Sequence, residues 1–137
     1  VTLTQDIGVS SVMPNTPSAC DYLIAPRPSD VGLRTLTVTN GTLTVEPGTT
    51  VRFAEGGGLR IGTNASLQAV GTPGARIRFE GAAPIKGYGR GIFLEPDSLA
   101  SAVSYADFAY LGREDIGTYR FWNGAISGLQ GGGLRLT

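Results

Sequence analysis

The chain contains no histidine and one cysteine, Cys20. Without an imidazole, no Ser-His-Asp triad or Cys-His pair can be assembled, and the commonest transition-metal ligand is missing. A single thiol excludes an intrachain disulfide framework and a Cys-rich zinc site. Cys20 itself reads as a small hydrophobe, as free cysteines usually are. Lysine is nearly absent too: Lys86 is the single one, and arginine supplies the rest of the eleven basic residues. Eleven acidic residues balance them to a formal charge of zero, so no field of one sign draws in nucleic acid or an acidic membrane. No run approaches the roughly 20 apolar residues of a membrane span. The chain begins at Val1 without a signal segment, which for an exported protein is removed by processing. Helical periodicity is missing as well. No window of useful length keeps an i, i+3, i+4, i+7 apolar stripe clear of glycine, proline or β-branched residues.

What is present is short-range alternation. Leu43-Thr44-Val45, Val51-Arg52-Phe53, Leu59-Arg60-Ile61, Leu67-Gln68-Ala69, Ile77-Arg78-Phe79, Ile92-Phe93-Leu94 and Leu134-Arg135-Leu136 each place apolar residues around a single outward one. That is the period of a strand buried on one face. Turn chemistry separates the triplets: Glu46-Pro47-Gly48, Gly56-Gly57-Gly58, Gly62-Thr63-Asn64 and Gly71-Thr72-Pro73-Gly74. A sandwich and a solenoid both use such strands, and repetition separates them. Leu43 precedes Leu67 by 24 residues and Val51 precedes Ile77 by 26, and a period in the twenties marks stacked repeats.

The expected fold is therefore all-β: a right-handed parallel β-helix of about three to four coils, each of three short strands. One coil takes the strands near 43–45, 50–53 and 58–61. The next takes 66–70, 76–79 and 91–94, with 80–90 as an excursion. A third begins as one strand over 102–110, and a partial coil ends at 133–137. Leu43, Val45, Val51, Phe53, Leu59, Ile61, Leu67, Ala69, Ile77, Phe79, Ile92, Leu94, Val103, Ala106 and Phe108 should point inward as one narrow column. Residues 1–30 lack the repeat and carry Pro14, Pro17, Pro26 and Pro28; they read as an N-terminal cap with lead-in strands. Residues 31–137 are the coils, the whole making one compact domain, with Thr35–Val38 leading into the first.

The run Leu43-Thr44-Val45-Glu46-Pro47-Gly48-Thr49-Thr50-Val51-Arg52-Phe53 resembles a signature of secreted bacterial β-helix-repeat proteins of the cell-surface and lipoprotein type. In these an L-T-I-E-P-G-T-x-V-x-F run is followed by G-x-L-x-A-x-G-T, here Ala65–Thr72, and then by x-I-x-F, here Arg76–Phe79. A G-x-W-x-G-I-x-F element corresponds to Gly87–Leu94, with Gly89 where tryptophan is common, and Ser101–Phe108 resembles the strand after it. The likeness covers about residues 34–112. It implies the β-helix and an exported protein, extracellular or on the bacterial surface, and it implies no catalytic residue. It also implies that Glu46 caps backbone N–H groups at its own bend.

Chemistry-bearing residues are few. Glu95 and Asp97 share a loop, where they read as solvated turn carboxylates or as a calcium or acid–base pair. Glu114 and Asp115 are adjacent and diverge. Gly56–Gly58 and Gly131–Gly133 lack the Gly-Lys-Ser/Thr and the helix of a phosphate loop. Asn40-Gly41-Thr42 and Asn64-Ala65-Ser66 match the glycosylation sequon but also suit turns. Arg52 and Arg78 are expected at equivalent outward positions on adjacent coils, about 4.8 Å apart, with Arg60 and Arg90 at the ends of the third strand type. This is either a solvated face or a short basic stripe for an anionic glycan. Tyr119, Phe121 and Trp122 cover the last coil or stack on sugars.

The leading functional expectation is a non-enzymatic surface or extracellular module, structural or adhesive, with no catalytic residue, metal or cofactor. Its own copies are expected partners through head-to-tail stacking of coil ends. The alternative is a glycan-binding module using Arg52, Arg78, Arg60, Arg90, Tyr119 and Trp122 on a polysaccharide. A carbohydrate-active enzyme stands behind both, because no set of acids clusters.

Overall fold

The computed structural model describes residues 1–17, 21–25, 34–95, 97–112, 126–128 and 134–136. Among them there are strands and turns but no helix. The strands are β1 (Thr2–Leu3), β2 (Ser11–Met13), β3 (Tyr22–Ile24), β4 (Arg34–Val45), β5 (Thr50–Phe53), β6 (Gly57–Val70), β7 (Ile77–Gly81), β8 (Gly91–Leu94), β9 (Ser101–Ser104), β10 (Ala106–Ala109), β11 (Ile126–Gly128) and β12 (Leu134–Leu136).

Every ladder between these strands is parallel. A five-stranded sheet runs β1-β3-β5-β7-β10, and a seven-stranded sheet runs β11-β8-β6-β4-β2, with β9 pairing β6 and β12 pairing β9. The chain thus visits the first sheet, crosses to the second, and returns one strand further along. β4 and β6 are the two longest strands, and they pair along most of their length with one irregularity. Leu36 lies opposite Leu59 and Leu43 opposite Leu67, and the register shifts between Val38 and Asn40. One extra residue on β6 is absorbed there, as in a bulge. Both sequons fall beside this register shift, Asn40 opposite Asn64 and Thr42 opposite Ser66, with the two hydroxyls 2.9 Å apart.

Alternation decides which side chains enter the core. All the residues expected inward are buried to within a few per cent, apart from Ala106 and Phe108, which pack against the core half-buried. Phe79 and Phe108 are opposite each other in register, and their rings stack at 5.2 Å between centroids. The Glu46-Pro47-Gly48 bend closes with the Thr49 N–H donating to the Glu46 carbonyl at 3.3 Å. Gly48 there has φ +81°, as a type II turn demands.

Three sequence expectations are corrected. Val51 lies opposite Phe79, not Ile77, so Arg52 faces Glu80 and Arg78 faces Thr50. A slip of two residues preserves the inward set, because side chains alternate with period two, so hydrophobic pattern alone cannot exclude it. The strand expected over 102–110 is two strands: the chain breaks at Tyr105, whose φ of 46° ends β9 and turns β10 into the other sheet. The Glu46 carboxylate accepts the backbone N–H of Asn15 at 3.2 Å, so it caps the neighbouring segment rather than its own bend.

Residues 1–24 contribute β1, β2 and β3 to the same ladders, with Thr2 opposite Leu23, Ser11 opposite Leu43 and Tyr22 opposite Val51. Ile7 bridges to Val38 between them. Side chains also accept backbone N–H groups of neighbouring strands. Asp6 accepts the Thr37 N–H at 2.8 Å, Ser10 accepts that of Thr42 at 3.0 Å, and Ser101 accepts that of Leu67 at 2.9 Å. Backbone donors that would otherwise be orphaned are thereby satisfied.

Candidate functional site

The outward face of the five-stranded sheet gathers charged residues on adjacent strands, with Arg52 on β5, Arg78 and Glu80 on β7 and Asp107 on β10. On β7, Arg78 and Glu80 stand two residues apart and so on the same face. Arg52 on β5 is the register partner of Glu80. Glu80 consequently accepts from both arginines, from Arg52 Nε at 2.9 Å and from an Arg78 terminal nitrogen at 3.2 Å. The Glu80 side chain is only 11% exposed while the two arginines are 40% and 59% exposed. The carboxylate therefore sits beneath a guanidinium layer. One strand further on, Arg76 grips Asp107 in a two-point contact, Nε to Oδ2 at 3.0 Å and Nη2 to Oδ1 at 2.9 Å. That hydrogen bond raises the Arg76 pKa and lowers that of Asp107.

The four arginines expected as a stripe do not share one face. Arg52 and Arg78 flank Glu80. Arg60 lies on β6 in the other sheet, paired to Glu95. Arg90 is buried, with its Nε donating to the Gly56 carbonyl at 2.8 Å, and so braces a corner. Each of Arg52, Arg60, Arg76 and Arg78 is matched by a carboxylate, and the described surface is mixed in sign rather than basic. Tyr119, Phe121, Trp122, Cys20, Glu114 and Asp115 lie outside the described residues. Glu95 is engaged by Arg60, and Asp97 is exposed. Among the described residues, no group of three or more His, Cys, Asp or Glu comes together as a metal site, and no helix is long and apolar enough to cross a membrane.

Two features escaped the sequence reading. Glu80 as a shared partner was legible in principle: it follows Ile77-Arg78-Phe79 in parity, and opposite charges pair across strands. Asp21 gave no such signal. It is 2% exposed. Its Oδ1 accepts the Thr16 backbone N–H at 2.8 Å and also the Thr16 hydroxyl, while Oδ2 accepts the Thr50 N–H at 2.7 Å. Burial pushes this carboxyl up, but the hydrogen bonds from Thr16 and Thr50 together outweigh it and hold the group below the usual carboxylate range. Its role is to lock the segment before β3 to the start of β5.

Two exposed tyrosines complete the surface, Tyr105 and Tyr110, each 44% exposed at one end of β10. No protein-family model matches the chain, and neither a curated protein nor a solved structure matches it significantly.

Proposed function

We propose that this chain is a right-handed parallel β-helix that serves as a non-enzymatic structural or adhesive module outside the bacterial cell or on its surface. The observation that carries the reading is the pairing order. Both sheets are parallel throughout, and each strand meets a strand 21 to 34 residues further along, from Thr2 with Leu23 to Gln68 with Ala102. Parallel strands joined through a crossover are right-handed in about 98% of cases, which supplies the hand. The five-stranded sheet corresponds to five coils, beyond the three to four counted from sequence. Export is supported by the likeness of the Leu43–Phe53 run to secreted repeat proteins. Arg52, Arg60, Arg76 and Arg78 are each engaged by a carboxylate, two of them sharing Glu80, and such contacts serve the fold, which suits a module whose work is shape and contact.

Head-to-tail contact between copies belongs to this reading. Among the described strands, β1 and β10 end the five-stranded sheet and pair on one side only. A parallel edge with an alternating apolar face is a template for a further strand, and docking one end on the other is heterologous, so it extends rather than closes. Light scattering across a concentration series tests it. Mass should grow with concentration, and Leu3→Pro on β1 or Phe108→Pro on β10 should each suppress the growth while a one-to-one mixture of the two variants forms a dimer through the intact ends. A chain of constant monomer mass at every concentration overturns the assembly.

A further inference from the structure

Wherever the described backbone needs positive φ, glycine usually provides it: Gly41, Gly48, Gly56, Gly87, Gly91 and Gly112 all take it. The exceptions are Tyr105 at 46° and Tyr110 at 59°. A left-handed backbone is unfavourable for a side chain with a Cβ, and Tyr110 is 44% exposed, so burial in the core does not account for its ring. A residue that breaks the local rule without a packing return marks a position held for another purpose.

The surroundings of Tyr110 give that purpose a shape. A Cβ built on Gly81 would lie 2.7 Å from the Tyr110 carbonyl oxygen, 3.0 Å from the Tyr110 Cβ and 3.0 Å from the Tyr88 Cβ. The Cβ atoms of the two tyrosines therefore both border a position that must stay bare. Both backbones are pinned at this corner. The Tyr88 carbonyl accepts the Gly56 N–H at 2.7 Å, and the Tyr110 carbonyl accepts the Gly89 N–H at 3.1 Å. Beneath them Arg90 holds the Gly56 carbonyl, and Gly112 donates to the carbonyl of Arg90 at 3.2 Å. Glu80, next to Gly81, is already taken by Arg52 and Arg78.

We propose that Tyr88 and Tyr110, whose Cβ atoms both border Gly81, form a preorganised stacking subsite for a neutral pyranose chain. A tyrosine offers a flat apolar face with a hydrogen-bonding rim. That matches a pyranose, whose C–H groups gather on one face and whose hydroxyls project at the edge. Stacking on the two rings needs no counter-charge on the ligand, so a neutral sugar suffices. Fixing the backbones on which both rings stand lowers the ordering cost of binding. The subsite stands apart from head-to-tail assembly, since one is read by sugar binding and the other by mass.

Calorimetric titration of the full chain with cellohexaose, xylohexaose, mannohexaose and maltohexaose tests the assignment, with saturation-transfer NMR to identify the sugar protons in contact. At least one should bind, and Tyr88→Ala and Tyr110→Asn should each weaken it by about tenfold or more. Asparagine tolerates the left-handed backbone, so Tyr110→Asn should keep or raise the melting temperature while binding is lost; a purely structural tyrosine would lower it. The proposal is overturned if none of the four hexasaccharides binds or if both variants bind as the parent does. Binding of hexaproline with no hexasaccharide bound overturns it in favour of a peptide site.

Discussion

Ile77 and Arg78 are neighbours in sequence and opposites in environment, which makes them a direct test of the assigned register. Ile77 is fully buried, while the Arg78 side chain is 59% exposed. Ile77→Asp removes a packed side chain and leaves a carboxylate in the apolar core with no described cation beside it. An uncompensated buried charge costs about 3–5 kcal/mol, and the lost isoleucine packing adds about 2 kcal/mol or more. Against a total stability of about 5–15 kcal/mol, the variant should be unfolded or close to it at room temperature. Arg78→Asp gives up one contact to Glu80 and sets its carboxylate near those of Glu80 and Asp107. Exposed pairs are worth about 0.2–1 kcal/mol, so this variant should lose no more than a few degrees of melting temperature. The two deficits should also differ in pH dependence. A carboxyl buried at position 77 has its folded-state pKa raised above the unfolded value, so its charge penalty is present above the unfolded pKa and vanishes below it, leaving only the packing loss. Thermal melts followed by circular dichroism at neutral and acid pH read all of this. Equal losses at 77 and 78, or a deficit at 77 that grows on acidification, would refute the inward assignment.

Gly48, at φ +81°, should tolerate asparagine better than valine. A Cβ there would also meet Asn15 Nδ2 at 2.8 Å, so Gly48→Val should cost about 2 kcal/mol or more, and comparing urea midpoints of the two variants checks it. Asp21→Asn replaces an acceptor of several N–H and O–H groups by an amide that can satisfy only part of them, at a cost of about 1.5–3 kcal/mol. Because the folded-state pKa of Asp21 is depressed, its contribution is present above the unfolded carboxylate value and lost as pH falls towards the folded one. The melting temperatures of parent and variant should therefore converge on acidification below about pH 4, and a constant gap would refute the linkage.

The inward column was legible because each buried residue announces itself by parity: Val51 and Phe53 flank Arg52, and Ile77 and Phe79 flank Arg78. The same parity hid the pairing, since Val51 opposite Ile77 and Val51 opposite Phe79 bury identical sets. Only charge could have chosen between them, by preferring Arg52 opposite Glu80 to Arg52 opposite Arg78. Lead-in strands were expected within residues 1–30, but their places in the ladders were not legible, because β1 and β2 have two and three residues and their partners lie beyond connections that carry proline. Tyr105 reads as one more strand residue, because nothing in a tyrosine marks a left-handed corner. Of the candidate site, the arginines were found and their partners were not: a carboxylate 28 residues from its arginine, as Glu80 is from Arg52, is visible only once the register is known.

The even spacing of the ladders has a consequence for how the chain reaches its structure. The loops that first contacts must close run from 21 residues, Thr2 to Leu23, to 34, Gln68 to Ala102. Closure entropy grows only with the logarithm of loop length, so the longest costs about 0.4 kcal/mol more than the shortest. Chain topology therefore gives hardly any pair of strands a head start. Sequence must choose the nucleus, and the β4–β6 pairing from Arg34–Gly57 to Val45–Ala69, which has among the shortest loops and the longest ladder despite its register shift, is where growth in both directions is expected to begin.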